Sequence, residues 1–291
     1  CIRDWVVSER PPAGNTSIYE YANLIITGLA RLRSQMLDTQ LQGLAVWDGV
    51  ESGDPGGTSS VVSLWRQVDV PIDRISIGGS TAVAASATTG NGSHPDGVAM
   101  PASSAWPFKY SIEAMMFADA VGYSRLAEEQ IPLFIEHYLG RIAELTDATS
   151  HRAVHTETAG DGMYMVFDNP FAAAHYALEL SELINGQDWQ SCGLPEDLGV
   201  RIALHSGPVF VGEDPITRQP LYSGIHTSRT ARIEPITPPG QVYASSAFAA
   251  VATAYGVEGL RFSYIGRTQL AKDYGVLPLY HVKRGVHSVH I

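Results

Sequence analysis

Cysteine is almost missing from this sequence: the 291 residues contain two, Cys1 and Cys192. Because there is no CxxC pair, a thiolate zinc site and a disulfide framework are both excluded. Long apolar runs are missing as well, since no stretch reaches the roughly 18 residues that a transmembrane helix needs. Residues 1–10 carry charges and lack the apolar centre of a signal peptide. We therefore expect a cytoplasmic protein without a membrane span, in which a reduced cysteine pair is favoured over one long-range disulfide.

Positive charge is also in short supply, because 19 Lys and Arg stand against 30 Asp and Glu, for a formal net charge of -11. Such a chain repels a phosphate backbone, which excludes a general nucleic-acid binder. A small anionic ligand held by a few local cations or metal ions stays compatible with this composition. Hydrophobic residues make up 45% of the chain, which is enough for a folded core, so wholesale disorder is excluded.

The chain divides into three parts by composition and periodicity. Residues 1–78 alternate helical and strand patterns, which predicts a small α/β segment with parallel strands, the end of an upstream or regulatory domain. Residues 79–107 are rich in Ser, Ala, Thr, Gly and Pro without periodicity, which predicts a flexible linker. Residues 108–285 form the second predicted domain. Because the chain starts without Met, we expect it to be a fragment of a longer protein.

The second domain is predicted to be α+β, with a mixed or antiparallel sheet flanked by helices. Two apolar strands are expected to meet in a hairpin at Gly160-Asp161-Gly162. A later strand over 200–211 is expected to turn at Ser206-Gly207-Pro208. Helical periodicity predicts helices over 126–145 and 171–184.

Two aspartates lie in or between apolar strands of this domain. Asp119 interrupts an apolar run, where a lone carboxylate is costly unless it is paired or bound to a metal. Asp161 lies in the predicted hairpin turn, from which it could converge on Asp119. Two carboxylates without a Cys or His cluster suit hard cations such as Mg²⁺ or Mn²⁺. The alternative is that Asp119 caps the next turn and that Asp161 is an ordinary Asp-Gly turn residue.

Four segments of this domain carry recognisable motifs: Phe117–Leu126, Glu157–Phe167, Arg201–Val209, and Gly224–Glu234 followed by Pro239-Gly240-Gln241-Val242. Together, and in this order, they resemble the catalytic domain of class III nucleotidyl cyclases. The resemblance extends over about residues 108–282 and does not cover 1–107. It implies a ferredoxin-like cyclase homology fold. It also implies conversion of a nucleoside triphosphate to a 3′,5′-cyclic nucleotide and pyrophosphate.

The resemblance assigns metal and phosphate ligands to the end of the first strand and to the hairpin. Asp119 and Asp161 match the family aspartates that hold two divalent cations, Mg²⁺ or Mn²⁺, around the triphosphate. The carbonyl of Ala120 is implied as a further metal ligand. The implied phosphate donors are the backbone amides of Val121, Gly122 and Tyr123.

Two cations of the domain match family residues that contact the triphosphate. Arg232 matches the arginine that stabilises the transition-state phosphate, and Lys272 matches a lysine that binds the phosphates. Taken without the motif, Arg232 is better explained as a surface helix charge paired with Glu234. The family asparagine four residues before the arginine is replaced here by Ser228, whose hydroxyl reaches less far, which puts the turnover rate in doubt.

Two positions match the residues that recognise the base. Glu157 stands where guanylate cyclases carry a glutamate, and a carboxylate accepts hydrogen bonds from guanine or uracil but faces the acceptor N1 of adenine badly. Leu221 replaces the usual Asp or Cys and can neither donate nor accept. We therefore expect GTP or UTP rather than CTP or ATP, with membership of a bacterial pyrimidine-cyclase subgroup in antiphage defence as one possibility. The alternative for Glu157 is a solvated strand residue that contacts no base.

The resemblance also implies a partner, because family members form two-fold dimers whose sites combine aspartates from one chain with the arginine of the other. This chain carries both sets, so a homodimer is expected to suffice. Two other functions stay open: a catalytically weak, nucleotide-binding regulatory module, favoured by Ser228 and Leu221, and a dimerisation scaffold.

Overall fold

The computed structural model describes residues 17–51, 56–76 and 109–285. The first part contains two helices and two strands, which alternate along the chain as predicted. The strands pair in parallel from Gly43 opposite Ile72, as expected for an α/β segment. The predicted linker over 79–107 lies outside the described residues. The four elements are α1 (Ser17–Leu37), β1 (Gly43–Trp47), α2 (Thr58–Gln67) and β2 (Ile72–Ser76).

The second part is an eight-stranded sheet with helices packed on it. Its strands are β3 (Lys109–Val121), β4 (His155–Ala159), β5 (Gly162–Phe167), β6 (Gly199–Glu213), β7 (Pro220–Ser223), β8 (Val242–Ser245), β9 (Leu260–Gln269) and β10 (Val276–Arg284). Seven of them lie in the order β4-β5-β3-β6-β8-β10-β9, and β7 pairs with β6 at one end. All pairs are antiparallel except β6 with β8. The predicted α+β fold with a mixed sheet is therefore confirmed.

The helices follow the predicted pattern with one irregularity. The helix predicted over 126–145 begins only at Ile131, next to Pro132, and contains a wide π-helical turn over Phe134–Leu139 before it continues. The helical elements are α3 (Ile131–Leu133), α4 (Gly140–Ala148), α5 (Pro170–Asn185), α6 (Ile225–Ile233) and α7 (Ser246–Ala254). Among the described residues, no helix combines the length and the apolar character that a membrane crossing requires.

The turn predicted at Ser206-Gly207-Pro208 is wrong, because β6 continues through these residues in unbroken register with β3. Proline is tolerated there because, of the strands that the structure describes, β8 pairs only with Ile202–Leu204 and β7 only from Phe210 onwards, so Pro208 needs no amide for a second neighbour strand. The strands β7 and β9 were not predicted. Both are largely exposed and lack the apolar run that marks a central strand.

The two faces of the sheet are covered differently. Alternate residues of β3, such as Met116 and Ala118, are buried in the main core with side chains of α5, α4 and α7. The intervening residue Met115 lies on the opposite face in a smaller cluster with Tyr164 and Val209. The helix α6 lies on this second face, where the Thr227 hydroxyl contacts the Met115 sulfur at 3.8 Å.

The helix α1 packs closely against α7. Its buried residues include Leu24 and Ile25, which contact Ala250 and Val251 of α7. Gly28 allows the close approach, because a Cβ at this position would overlap the backbone of Ala250. Helix α1, which belongs to the first part of the chain, is therefore in direct contact with the sheet domain.

Candidate active site

The two aspartates of the predicted metal site lie next to each other at one end of the sheet. Asp119 is near the end of β3, opposite Gly162, the first residue of β5. Asp161 lies in the turn between β4 and β5, and its carbonyl accepts a hydrogen bond from the amide of Ala120 at 3.2 Å. The hairpin is thereby attached to the end of β3, which brings the two carboxylates to the same edge.

The electrostatics of this edge reflect two close negative charges. The pKa of Asp161 is raised, first by burial and further by the charge of Asp119. Asp119 is balanced by Arg201, whose Nη2 donates to its Oδ2 at 2.5 Å. The pair is only partly exposed, at 29% for Arg201 and 28% for Asp119. Arg201 therefore supplies a positive charge beside the two carboxylates.

Arg201 was not singled out from the sequence, although it joins three parts of the site. It lies opposite Asp119 in the register of β3 and β6. Its Nε also lies 2.9 Å from Oε1 of Glu234, just after α6, in an ion pair whose N–H is not directed at the oxygen. Burial raises the pKa of Glu234 to about 7, with Arg201 lowering it and the two aspartates raising it. The connection from Asp119 through Arg201 to Glu234 depends on the pairing of β3 with β6, which the sequence alone does not show.

The donor set fits hard divalent cations. Two adjacent carboxylates, with the carbonyl of Ala120 next in the chain after Asp119, are the oxygen ligands that Mg²⁺ and Mn²⁺ prefer. Within the described residues, no three Asp, Glu, His or Cys side chains form a ready-made cage. The remaining ligands of a bound ion would have to come from a phosphate-bearing ligand or from water.

The chain beyond Asp119 turns sharply at the predicted phosphate-binding amides. Gly122 has a φ of 97°, in the left-handed region that favours glycine. The chain then forms a short helical turn over Tyr123–Arg125, closed by a hydrogen bond from the Arg125 amide to the Gly122 carbonyl at 3.0 Å. Val121 and Gly122 thus bring their backbone to the same end of the sheet as Asp119.

Arg232 lies in the last turn of α6 and is not paired with Glu234. Glu234 pairs instead with Arg201, so the explanation of Arg232 as a helix charge balanced by Glu234 is wrong. The Nε of Arg232 is buried and has no hydrogen-bond partner among the described residues. An unpaired buried guanidinium nitrogen is costly, and a phosphate oxygen would satisfy it.

The other two polar residues predicted near the phosphate are on the surface. Ser228 is exposed on α6, and its hydroxyl has no partner within the described part of the chain. Lys272 is exposed in a short turn, Ala271–Asp273, with a φ of 58°. This turn follows Leu270, which packs against Ile233 at the end of α6, so Lys272 is close to the helix that carries Arg232.

The predicted base-contacting glutamate is held by a histidine that sequence reasoning missed. Glu157 is 54% exposed on β4, and its Oε1 lies 2.7 Å from Nε2 of His155, which is 8% exposed. The two alternate on one face of the strand, which was the available signal. The His155 ring packs against Tyr222 with centroids 5.1 Å apart. Tyr222 follows Leu221 on β7, so β7 and Glu157 border the same region.

Residues 109–280 match the family of adenylate and guanylate cyclase catalytic domains. Retinal guanylyl cyclase 2 of Bos taurus is 27% identical over 175 residues, 56% of this chain and 16% of that protein. The pH-sensitive adenylate cyclase MT1302 of Mycobacterium tuberculosis is 26% identical over 171 residues, 58% of this chain and 40% of that protein. The chain therefore spans less than half the length of either relative.

A similar fold is found in the crystal structure of the adenylyl cyclase CyaB from P. aeruginosa. The TM-score is 0.53 at 15% sequence identity, and the match covers 62% of this chain and 97% of that one. At this identity the likeness shows the fold alone.

We expect Glu234 to make the stability of the metal-free protein depend on pH. The Glu234 carboxyl binds its proton more tightly in the folded chain than in the unfolded chain, because folding raises its pKa from 4.5 to about 7. Stability from this group is therefore present below pH 4.5 and is lost as the pH rises towards 7. Urea unfolding of Glu234→Gln in EDTA should show a smaller loss over this range, whereas Glu213→Gln, at an exposed ion pair, should keep the wild-type slope. Equal slopes in Glu234→Gln and wild type would contradict this assignment.

Proposed function

The chain belongs to the family of adenylate and guanylate cyclase catalytic domains, and from this premise we propose that it converts GTP or UTP to the 3′,5′-cyclic nucleotide and pyrophosphate. The observation that carries the proposal is the combination of two adjacent carboxylates, Asp119 and Asp161, with the buried, unpartnered Nε of Arg232. The carboxylates suit cations that bind a triphosphate, and the guanidinium suits a phosphate that gains charge during the reaction.

Asp119, Asp161 and the carbonyl of Ala120 would hold two divalent cations. Bound there, the cations would lower the pKa of the ribose 3′-hydroxyl and neutralise charge on the phosphates. Asp119 would offer Oδ1 to a cation, because only its Oδ2 accepts from Arg201. Arg201 also lies beside Glu234. The amides of Val121, Gly122 and Tyr123 would bind phosphate oxygens at the turn that follows.

Arg232, Ser228 and Lys272 would act on the phosphates from α6 and the neighbouring turn. Arg232 would donate to the phosphate under attack, because a fixed cation stabilises charge that is greater in the transition state than in the ground state. Lys272 would bind the leaving diphosphate as a mobile point charge. Ser228 offers one short donor where the family has an asparagine, so it would orient the ribose or phosphate less firmly.

We propose that the working enzyme is a homodimer with two composite sites. Arg232 is unpartnered within the described chain, whereas the aspartates are balanced by Arg201 of their own chain. A two-fold axis would bring the arginine of one protomer to the aspartates of its partner, and the same contact would then be made twice.

The base preference rests on Glu157 and its hydrogen bond with His155. This hydrogen bond occupies Oε1 and holds the carboxylate in place, while Oε2 can accept from a ring N–H of a base. Uracil and guanine present such an N–H, and adenine does not. Leu221 adds an apolar wall without a hydrogen-bond partner. Membership of a pyrimidine-specific subgroup remains a prediction that the identity of the product decides.

We expect product from GTP or UTP with Mn²⁺, and far less from the variant Asp119→Asn. Loss of one charge-bearing ligand removes a cation from the phosphates, which should lower turnover by about 100-fold or more. The measurement is mass identification of products from the four nucleoside triphosphates. Asp197→Asn, at the exposed pair with Arg125, is the control and should keep wild-type turnover. Turnover by Asp119→Asn at the wild-type rate would reject the metal assignment.

Glu157→Lys should change the base preference rather than abolish turnover. A lysine donates where the carboxylate accepts, so the ratio of kcat/KM for ATP to that for GTP or UTP should rise by about tenfold or more. The matched control is Glu136→Lys, an exposed site on the π-helical turn, which should leave the ratio unchanged. A ratio that Glu157→Lys does not alter would mean that Glu157 contacts no base.

Mixing two inactive variants should restore activity if the sites are composite. In heterodimers of Asp119→Asn with Arg232→Ala, one site receives wild-type aspartates and a wild-type arginine. Random exchange of protomers at equal concentrations should give about a quarter of wild-type turnover. Each variant mixed with itself is the control. A mixture without activity, in which heterodimers are demonstrated by differently tagged chains, would contradict the composite site.

A further inference from the structure

A tyrosine from outside the family's matched region is inserted beside the helix that carries Arg232. Tyr21 lies on α1, whereas the family match begins at residue 109. It is 2% exposed, and its hydroxyl donates to the carbonyl of Ser206 in β6 at 2.9 Å. The edge of its ring meets His226, with ring centroids 5.6 Å apart and planes at 82°. Tyr21 thus contacts both the central strand β6 and the first turn of α6.

The position of Tyr21 follows from a gap in the sheet. The strand β8 pairs with β6 only from Ile202 to Leu204, so among the described strands β6 has no neighbour on this side between Leu204 and Phe210, where β7 begins to pair. The Ser206 carbonyl lies in this gap and accepts from Tyr21. A hydroxyl from α1 therefore satisfies a buried carbonyl that a neighbouring strand would otherwise have to satisfy.

His226 is one end of a hydrogen-bonded chain that joins two helices, with His205 in the middle. Its Nδ1 lies 2.8 Å from Nε2 of His205, and Nδ1 of His205 lies 2.6 Å from Oγ of Ser245. Ser245 Oγ also accepts from the amide of Phe248, which caps α7. Because Ser245 Oγ already accepts from this amide, its hydroxyl can donate to Nδ1 of His205, whose Nε2–H then donates to Nδ1 of His226. The start of α6 is thereby linked to the start of α7.

The ring of His226 has little freedom within this chain. On one side it lies against Gly207 so closely that a Cβ there would overlap the ring. On another side it meets Tyr21, and the ring of His205 lies nearly parallel to it, with the ring centroids 5.1 Å apart. His226 is 1% exposed, and burial together with the nearby charge of Arg229 lowers its pKa to about 3, so it stays neutral. A change at Tyr21 therefore leaves a space into which His226 can move.

The placement of His226 fixes the helix on which the predicted catalytic side chains stand. His226, Thr230 and Ile233 are the buried side of α6, whereas Ser228 is exposed and Arg232 is half-buried. A helix of nine residues has little stability by itself, so its position depends on this buried side. His226 and Arg232 therefore stand on one short helix whose position depends on the same buried side.

We propose that Tyr21 is a positioning residue of the cyclase site: by holding His226 it fixes α6, and with it Arg232, for the reaction. The inference rests on the proposed function. It makes α1 an integral part of the enzyme and gives the N-terminal segment a physical route to the active site. That route continues to α2, since Trp65 Nε1 donates to Thr27 Oγ1 of α1 at 3.1 Å.

The test compares Tyr21→Leu, Tyr21→Phe and Tyr19→Ala in the full chain. Leucine keeps an apolar side chain against α7 but loses the hydroxyl and the ring edge, so kcat should fall by about tenfold with KM changed less than about twofold. Phenylalanine keeps the ring and should restore most of kcat. Tyr19 is 66% exposed on the same helix, and its variant should behave as wild type. All assays are run well below the unfolding midpoint of the least stable variant.

A second measurement separates this inference from the proposed function. Hydrogen exchange of the amides of Ile225–Ile233 should be faster in Tyr21→Leu than in Tyr19→Ala, and it requires no turnover. Wild-type kcat in Tyr21→Leu, or unchanged exchange in α6, would overturn the role of Tyr21. A wild-type protein that converts no nucleoside triphosphate would overturn the proposed function instead, while the exchange rates would still decide whether Tyr21 holds α6.

Discussion

The repulsion between Asp119 and Asp161 is the constraint around which the site is organised. Two carboxylates at one edge of a largely buried sheet need positive charge nearby, and Arg201 supplies it from the adjacent strand. Because Arg201 also pairs with Glu234, the end of α6 is tied to the same charges. The strand end that carries Asp119 and Asp161 and the helix that carries Arg232 are therefore parts of one electrostatic arrangement.

Local patterns predicted most of the fold, and the predicted turn failed because pairing between strands far apart in the chain overrode a local signal. The hairpin around Asp161 and the helix α5 followed directly from periodicity and turn residues. The turn expected at Ser206-Gly207-Pro208 failed because the local signal of Gly-Pro was overridden by the pairing of β6 with β3. Gly207 serves instead to admit the ring of His226, a requirement set by a helix that comes later in the chain.

The candidate site was predictable where a motif carries it and not where strand register or packing does. Asp119, Asp161 and Arg232 stand in recognisable motifs. Arg201 becomes important only because the register places it opposite Asp119. The contribution of Tyr21 depends on a contact over 185 positions of the chain, which no local pattern contains. Sequence reasoning thus finds the groups that carry chemistry more readily than those that hold them in place.

The helix α7 is apolar around its whole circumference, with one side in the main core and the other against α1. Trimming the chain to the boundaries of the catalytic domain family would uncover Ala250, Val251 and Ala254 to water. That surface has no charge to keep two molecules apart, and it would favour self-association of the shortened protein. The apparent oligomeric state of such a fragment would then report on its missing helix rather than on the enzyme.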